Sequence, residues 1–381
     1  MDDNNKNSSN KGLQLVVIGV IALLIVVVVI DIVTSRVDLN KLFTKNVNYT
    51  TSKEVTVTDE GIADAVEKLY DATVLVEIIE KDNVAGWGSG FVYKVAGNYA
   101  YIFTNHHVVD SADKLKIVYT NGTETDGELV GSDEYADVAV IKVKKDTILK
   151  VAEIGKTKGL RVGDTVFAIG TPVGLEYKFT VTRGILSGQN RMVEMTKKSS
   201  SSYFGQQVTD SWYMNLLQID ASINSGNSGG PLANCNGEVI GINNSKLSSS
   251  YSSSSASIEN MGFAIPIEDA LTIAAQLESD GEVKRPLLGV STTSIEGAEY
   301  YNIDIDKDIK SGAVIAEVQK DSVADEAGIK KGDVIIKLGE YKVDDYKYLK
   351  YYLHRYKVGD TVKVVLIRDG KEKTISIKLK G

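Results

Sequence analysis

After twelve mostly polar residues the chain runs from Leu13 to Ile30, LQLVVIGVIALLIVVVVI, without a single charge. As a helix rising about 1.5 Å per residue, this run approaches the thickness of a bilayer's hydrocarbon core, and it reads as a transmembrane anchor over residues 13–33. A cleaved signal peptide would have a shorter apolar core and a small-x-small site after it, and DIVTSR offers none. Lys6 and Lys11 precede the run, and Arg36 and Lys41 follow it, so charge sets its orientation only weakly. From Asp31 to about Glu60 the chain is polar and mixed with no sustained period, as expected of a stalk over residues 34–60.

From Ala72 the pattern changes to short β-type runs: TVLVEII, GFVYKV, YAYIFT, KLKIVY, DVAVIKV, TVFAIG and GEVIGI. Gly, Asn and Asp turns separate them, which predicts an all-β barrel or sandwich over residues 61–284 and not βαβ units. IEDALTIAAQLESD, Ile267 to Asp280, has a helical pattern and an acidic first turn, and predicts a helix connecting two domains. Beyond it, residues 285–381 predict a small β-rich domain. GAVIAEV is a strand, SVADEAGIKKGDVIIKL gives a short helix, a turn and a strand, and VKVVLIRDGKEKTISIKL is a hairpin with an Asp-Gly turn. DDYKYLKYYLHRY is helical in spacing. The Ser-rich stretches 199–202 and 248–257 read as mobile loops.

With 43% apolar and 25% charged residues in 381, the chain is of globular type and long enough for two domains. A net charge of −8 lacks the basic footprint of a nucleic-acid binder. The single cysteine, Cys235, excludes an internal disulfide and reads as a structural bystander in the turn ANCNGE.

Candidate chemistry centres on DASINSGNSGGPL, Asp220 to Leu232. GNSGG fits G-x-S-x-G, the nucleophile elbow of α/β-hydrolases, but an elbow needs a helix straight after its serine, and Gly229, Gly230 and Pro231 disfavour one. That class also needs a histidine after the serine, and only His354 qualifies, within the Tyr-rich helical stretch. The order His, Asp, Ser is instead that of chymotrypsin-like barrels. A serine hydroxyl needs a base, and the imidazole needs a carboxylate to hold it. One His from TNHHVV, one Asp from YADVAVIKV and Ser228 supply all three. The glycines flanking Ser228 permit a tight turn whose N–H groups, from Gly226 and Ser228, would form an oxyanion hole. If TNHHVV is extended, His106 and His107 point to opposite faces and cannot share a site, which argues against a metal pair; no cofactor is expected. GWGSGF, Gly86 to Phe91, lacks the ending of a phosphate loop, and its glycines read as sites of close strand packing.

TNHHVV, DVAVIK and GNSGGPL, with GTPVGL and MGFAIP, together resemble the HtrA (Deg) family of serine proteases, and the resemblance covers about Ala72 to Gly381. It implies a mainly β chain: a chymotrypsin-like double β-barrel protease domain, then a PDZ domain. In that family the catalytic histidine directly precedes VV, which carries the base onto His107 and leaves His106 at a variable position; the acid falls on Asp137. Neighbouring Asp133 and Glu134 read as solvated loop charges. Six residues before the nucleophile, where proteases that cut after Lys or Arg carry an acid, stands Ser222. With Ile223 and, by the family alignment, Phe263, it implies a modest apolar pocket for small or medium aliphatic side chains.

PLLGV, Pro286 to Val290, matches the carboxylate-binding loop of a PDZ domain, so the backbone of Leu288, Gly289 and Val290 is expected to take the C-terminus of a peptide that adds as a strand. The expected partners are unfolded proteins or peptides, peptide C-termini, the membrane through the N-terminal helix and, by family resemblance, further copies in a trimer. The expected setting is a bacterial cell membrane, single-pass, with both domains on the extracytoplasmic side. The competing reading is a catalytically silent protease-fold scaffold that binds peptide C-termini.

Overall fold

The computed structural model describes residues 6–36, 60–203, 206–245 and 260–381. The stalk expected over 34–60 and the Ser-rich stretch 248–257 lie almost wholly outside these residues. Two compact units are present, residues 1–57 and 58–381.

In the first unit, α1 spans Lys6–Arg36, a 31-residue helix enclosing the uncharged run. Its side chains are described over 15–31, and the apolar ones there, Leu15 to Ile30, are exposed. Within the described residues no helix is long and apolar enough to cross a membrane.

The second unit opens with α2, Glu60–Tyr70, whose Ala65 and Leu69 are buried. Six strands follow: β1 (Thr73–Glu80), β2 (Asn83–Ala96), β3 (Tyr99–Thr104), β4 (Lys114–Val118), β5 (Glu124–Asp133) and β6 (Val138–Lys144), with the one-turn helix α3 (His106–Val109) after β3. They close into a barrel in the order β1-β2-β3-β6-β5-β4. Alternation explains the closure, since Val74, Val76, Val92, Ala100, Ile102, Ile117, Ala139 and Ile141 turn to one interior.

A second closed barrel takes β7 (Thr165–Gly170), β8 (Thr180–Tyr203), β9 (Gln206–Ile219), β10 (Pro231–Asn234), β11 (Val239–Asn243) and β12 (Gly262–Pro266), in the order β10-β11-β12-β9-β8-β7. Phe91, Phe103 and Val140 of the first barrel pack with Phe167, Ile169 and Ile242 of the second, so one apolar cluster joins the two. Ser199–Ser202 belong to β8 and not to a loop, which corrects the expectation from their composition: backbone pairing with β9, Lys198 opposite Thr209 and Ser202 opposite Gln207, extends the hairpin past the core.

The predicted connecting helix is α4, Ile267–Asp280, closed by Gly281 in the left-handed conformation. Beyond it lie β13 (Val290–Thr293), β14 (Ala313–Val318), α5 (Val323–Glu326), β15 (Val334–Leu338), β16 (Tyr341–Lys342), α6 (Tyr346–Leu353), β17 (Thr361–Arg368) and β18 (Lys371–Lys378). The sheet runs β13-β14-β15-β17-β18, with β16 on β15. Asp369 and Gly370, both at positive φ, make the predicted hairpin turn. Polar contacts tie this domain to the barrels: Arg355 and Tyr351 both reach the Asp269 carboxylate of α4, and Arg285 reaches Asp133. Burial raises the Asp269 carboxyl above its ordinary range despite the pull of Arg355 and Tyr351 in the other direction.

Candidate active site

The first barrel brings a histidine and a carboxylate together. After β3 the chain turns through Asn105 into α3, anchored by buried Val108 and Val109, and this turn sends His107 toward Asp137. His107 Nδ1 lies 2.8 Å from Asp137 Oδ2 and 3.0 Å from Oδ1, and the His107 N–H donates to Oδ1 at 3.0 Å. Because a carboxylate only accepts, Nδ1 carries the proton and Nε2 is left as an acceptor. Nε2 is 3.0 Å from Ser228 Oγ.

His106 goes elsewhere. The segment is helical and not extended, so the histidines diverge by about 100° around a helix and do not lie on opposite faces of a strand. His106 Nδ1 meets Ser132 Oγ at 2.9 Å, and Nε2 lies 3.4 Å from Asp110. Among the described residues no cluster of three or more His, Cys, Asp or Glu could hold a metal ion.

Asp137 sits at φ +52°, at the end of the turn DEYAD between β5 and β6. Asp133 makes that turn by accepting the Ala136 N–H at 2.7 Å, and Arg285 holds Asp133 from the other side through both oxygens, at 2.6 and 2.5 Å. Asp133 is only 6% exposed, so it is a buried, paired group and not the solvated charge its loop position suggested. The rest of the Asp137 shell comes from amides: Asn105 Nδ2 donates to its main-chain oxygen at 2.8 Å, and Asn244 Nδ2 to Oδ2 at 2.6 Å. Asn244 was not singled out from the sequence. Its position two residues after the GEVIGI strand was the available signal.

The second barrel carries Ser228 on the turn between β9 and β10. Gly226 has φ +97°, and a Cβ there would sit 2.0 Å from the Thr171 carbonyl oxygen, so conformation and space both require glycine. Two planar peptides in this turn are aimed by bonds to their carbonyls. Val173 N–H donates to Ser225 O at 2.9 Å, which turns the Gly226 N–H of the same trans peptide the opposite way. Gly230 N–H donates to Asn227 O at 3.0 Å and does the same for the Ser228 N–H. Among the described residues neither Gly226 N–H nor Ser228 N–H donates a hydrogen bond. Ser245, also not anticipated, donates its N–H to Ser228 Oγ at 3.1 Å and places its own Oγ 2.6 Å away.

The other expected site residues separate into two groups. Ser222 is exposed, with its carbonyl accepting from Thr182 Oγ1 at 3.1 Å, whereas Ile223 packs with Leu186 and Leu217, and Phe263 lies in the cluster between the barrels. Cys235 is exposed on the β10–β11 turn. In the C-terminal domain, Leu288 O accepts from Ala324 N–H at 3.0 Å, which directs the Gly289 N–H away from α5; Gly289 itself is at φ +71°. Leu288, Gly289 and Val290 line one wall of a groove of about 840 Å³, and Leu349, Lys350 and Leu353 of α6 line the other. β13 is the sheet edge beside it.

Comparison with known proteins bears on this arrangement. A trypsin-like peptidase domain model matches residues 88–242, and a PDZ domain model matches residues 286–379. The serine protease Do-like HtrA of Lactobacillus helveticus is 41% identical over 297 residues, covering 77% of this chain and 68% of that protein. The chain belongs to the HtrA family of serine proteases. The Bacillus subtilis HtrA is 40% identical over 305 residues, and the match spans 78% of this chain and 64% of the Bacillus protein, just under two thirds. Among solved structures, an HtrA-type protease, AlgW, with a tripeptide aligns with a TM-score of 0.65 at 29% identity, covering 84% of this chain and 96% of that one. A serine endoprotease from Yersinia pestis aligns at 0.59 and 29% identity, covering 86% and 99%. The two barrels thus correspond to an HtrA peptidase domain of chymotrypsin-like architecture, and the C-terminal sheet to its PDZ domain.

Proposed function

We propose that this HtrA-family chain is a membrane-anchored serine endopeptidase that hydrolyses unfolded or damaged extracytoplasmic proteins, with residues 61–284 as the catalytic domain and a PDZ groove that recruits or regulates. The observation that carries the reading is the continuous line of hydrogen bonds from Asp137 through His107 to Ser228, at 2.8 and 3.0 Å. Ser228 Oγ attacks the scissile carbonyl carbon while its proton passes to His107 Nε2. The Gly226 and Ser228 N–H groups take up the oxyanion, and Asp137 stabilises the imidazolium. His107 then gives the proton to the leaving amine, and a water, deprotonated by His107, releases the acyl group from Ser228. Ser222, Ile223 and Phe263 are assigned to a pocket for small or medium aliphatic side chains. Leu288, Gly289 and Val290 are assigned to capture of a peptide's carboxylate, supported by the aimed Gly289 N–H and the free edge of β13.

Anchoring is supported by the 31-residue α1 and the uncharged Leu13–Ile30 run inside it. The working setting is a bacterial cell membrane with both domains outside, as a homo-oligomer, a trimer by family likeness. Protease added to intact cells should remove the catalytic domain and leave a tag at residue 1 protected; the reverse pattern overturns the orientation.

The test of the activity is cleavage of unfolded casein. Wild type should cut it, and Ser228→Ala should not. Equal behaviour of the two would favour a silent peptide-binding scaffold.

A further inference from the structure

The sequence singles out GWGSGF, and the catalytic assignment leaves it without a task. In the structure this segment lies in β2, where a Cβ on Gly88 would strike Val108 at 2.6 Å and approach the Ser228 carbonyl oxygen at 3.3 Å. The strand therefore runs against the nucleophile turn of the other barrel. Between the two glycines stands Ser89, with no exposed surface.

The three polar groups of Ser89 make four hydrogen bonds, and three of those bonds hold the second barrel. Its N–H donates to Ser228 O at 2.8 Å. Its Oγ donates to Gly226 O at 2.7 Å and accepts the Thr171 N–H at 3.0 Å. In the fourth bond the carbonyl accepts from Thr104 Oγ1 at 2.8 Å, one residue before Asn105 and three before His107. Trp87 adds a further tie, with its indole N–H donating to Thr171 O at 3.3 Å.

The four consecutive peptides from Ser225 to Gly229 alternate in function. The first and third carry the Gly226 and Ser228 N–H groups that the oxyanion requires. The second and fourth carry the Gly226 and Ser228 carbonyls, and Ser89 grips both. A planar peptide rotates only about its flanking φ and ψ angles, so fixing the second and fourth limits how far the third can swing between them. Gly226 is the residue at which such a swing costs least, because at φ +97° it has no Cβ to resist it.

We propose that Ser89 is a positioning residue for the oxyanion hole: from the first barrel it clamps the Gly226 and Ser228 carbonyls of the second, and so aims the two N–H groups between and before them. The inference rests on the proteolytic reading above. Losing the Ser89 hydroxyl leaves the Gly226 carbonyl and the Thr171 N–H buried and unpaired, and frees the Gly226–Asn227 peptide to rotate.

The test uses the full chain carrying Ser89→Ala, a short chromogenic peptide as substrate, a peptide boronic acid and a reduced-amide peptide of the same sequence. The boronic acid forms a tetrahedral adduct on Ser228 that needs the hole; the reduced amide binds without it. Kcat should fall on the order of tenfold to a hundredfold, below the loss from deleting an oxyanion donor outright, with KM little changed. Boronate affinity should fall in step with kcat, and reduced-amide affinity should hold. Unchanged kcat, or equal loss of affinity for both ligands together with a lowered Tm, would overturn the proposal, the second result marking Ser89 as a support of the fold only. Should Ser89→Ala fail to fold, Ser89→Cys, whose thiol is a weak donor of similar shape, must show the same selective loss of boronate affinity, and its absence counts against the proposal. Wild type that leaves casein and the short peptide uncut defeats the proteolytic reading itself, a result distinct from any effect of Ser89.

Discussion

Arg285 holds both carboxylate oxygens of Asp133, four residues before Asp137, and also lies over the ring of Tyr135 at 4.8 Å. The first residue of the region assigned to the PDZ domain thus braces the turn that presents the Asp137 carboxylate to His107. Both side chains are well buried, at 14% and 7% exposure, and removing one partner of such a pair strands the other's charge. Arg285→Ala should destabilise the chain by about 3 kcal/mol and lower kcat, whereas Arg285→Lys, which keeps the charge but not the fork, should fall between. Chemical denaturation and peptide hydrolysis measure both; wild-type kcat in a destabilised Arg285→Ala protein would separate the brace from catalysis.

The two histidines have different partners, and the proposed mechanism gives a task only to His107. His107→Ala should lower kcat by several orders of magnitude, because only oxyanion and binding contributions survive loss of the base. His106→Ala loses a contact with Ser132 and should stay within about tenfold, since one hydrogen bond is worth about 1 kcal/mol. Comparable losses at both positions would refute the division.

Asn244 should matter more than its distance in the sequence suggests. Its amide is one of the groups that fix the Asp137 carboxylate against His107, and a hydrogen bond to a charged group is worth about 1.5–3 kcal/mol. Asn244→Ala should reduce kcat by about tenfold or more with KM little affected, and Asn244→Ser, which keeps a donor, should recover part of it. Kinetics on a short substrate decide this.

His354 closes α6, and burial pushes its imidazole down to about 3, with Arg285 and Lys350 adding to the effect and Asp133 opposing it. Below about 6.5 the unfolded chain binds a proton that the folded chain refuses, so this contribution is fully present above that pH and is lost as pH falls toward about 3. Between pH 6.5 and 4.5 the stability of wild type, read by urea unfolding, should therefore fall more than that of His354→Gln. Parallel curves would mean that the imidazole charges freely in the folded protein.

A peptide ending in a free carboxylate should bind the PDZ groove, and its C-terminal amide should bind much more weakly, since the N–H of Gly289 loses a charged acceptor. Calorimetry with the two peptides is sufficient. Equal affinities would remove the assignment of Leu288, Gly289 and Val290.

Much of this fold was legible because its strands carry short β-branched apolar runs, as DVAVIKV does with Val138 to Ile141 buried on both faces, and because Asp369 and Gly370 carry a turn chemistry that few pairs share. β5 was not legible: ETDGELVGSD is polar or glycine everywhere but Leu129 and Val130, so no apolar alternation marks it. The Ser run of β8 misled for a related reason, since its pairing is a property of the backbone and leaves no apolar trace. At the site, order and motif picked out His107, Asp137 and Ser228, which the fold brings into one line of hydrogen bonds. Asp133, Asn244 and Ser89 were missed because each acts through a partner 82 to 152 residues away or through the backbone, and a local pattern records neither.

His107 and Ser228 are 121 residues apart and lie on different barrels. The ribosome therefore finishes the base and its carboxylate, both within the first 144 residues, well before it makes the nucleophile. On the proposed mechanism a nascent chain cannot cut itself or its neighbours, because the cutting centre exists only once the two halves have docked. Appearance of hydrolysis in a refolding experiment would consequently time that docking, and not the closure of either barrel.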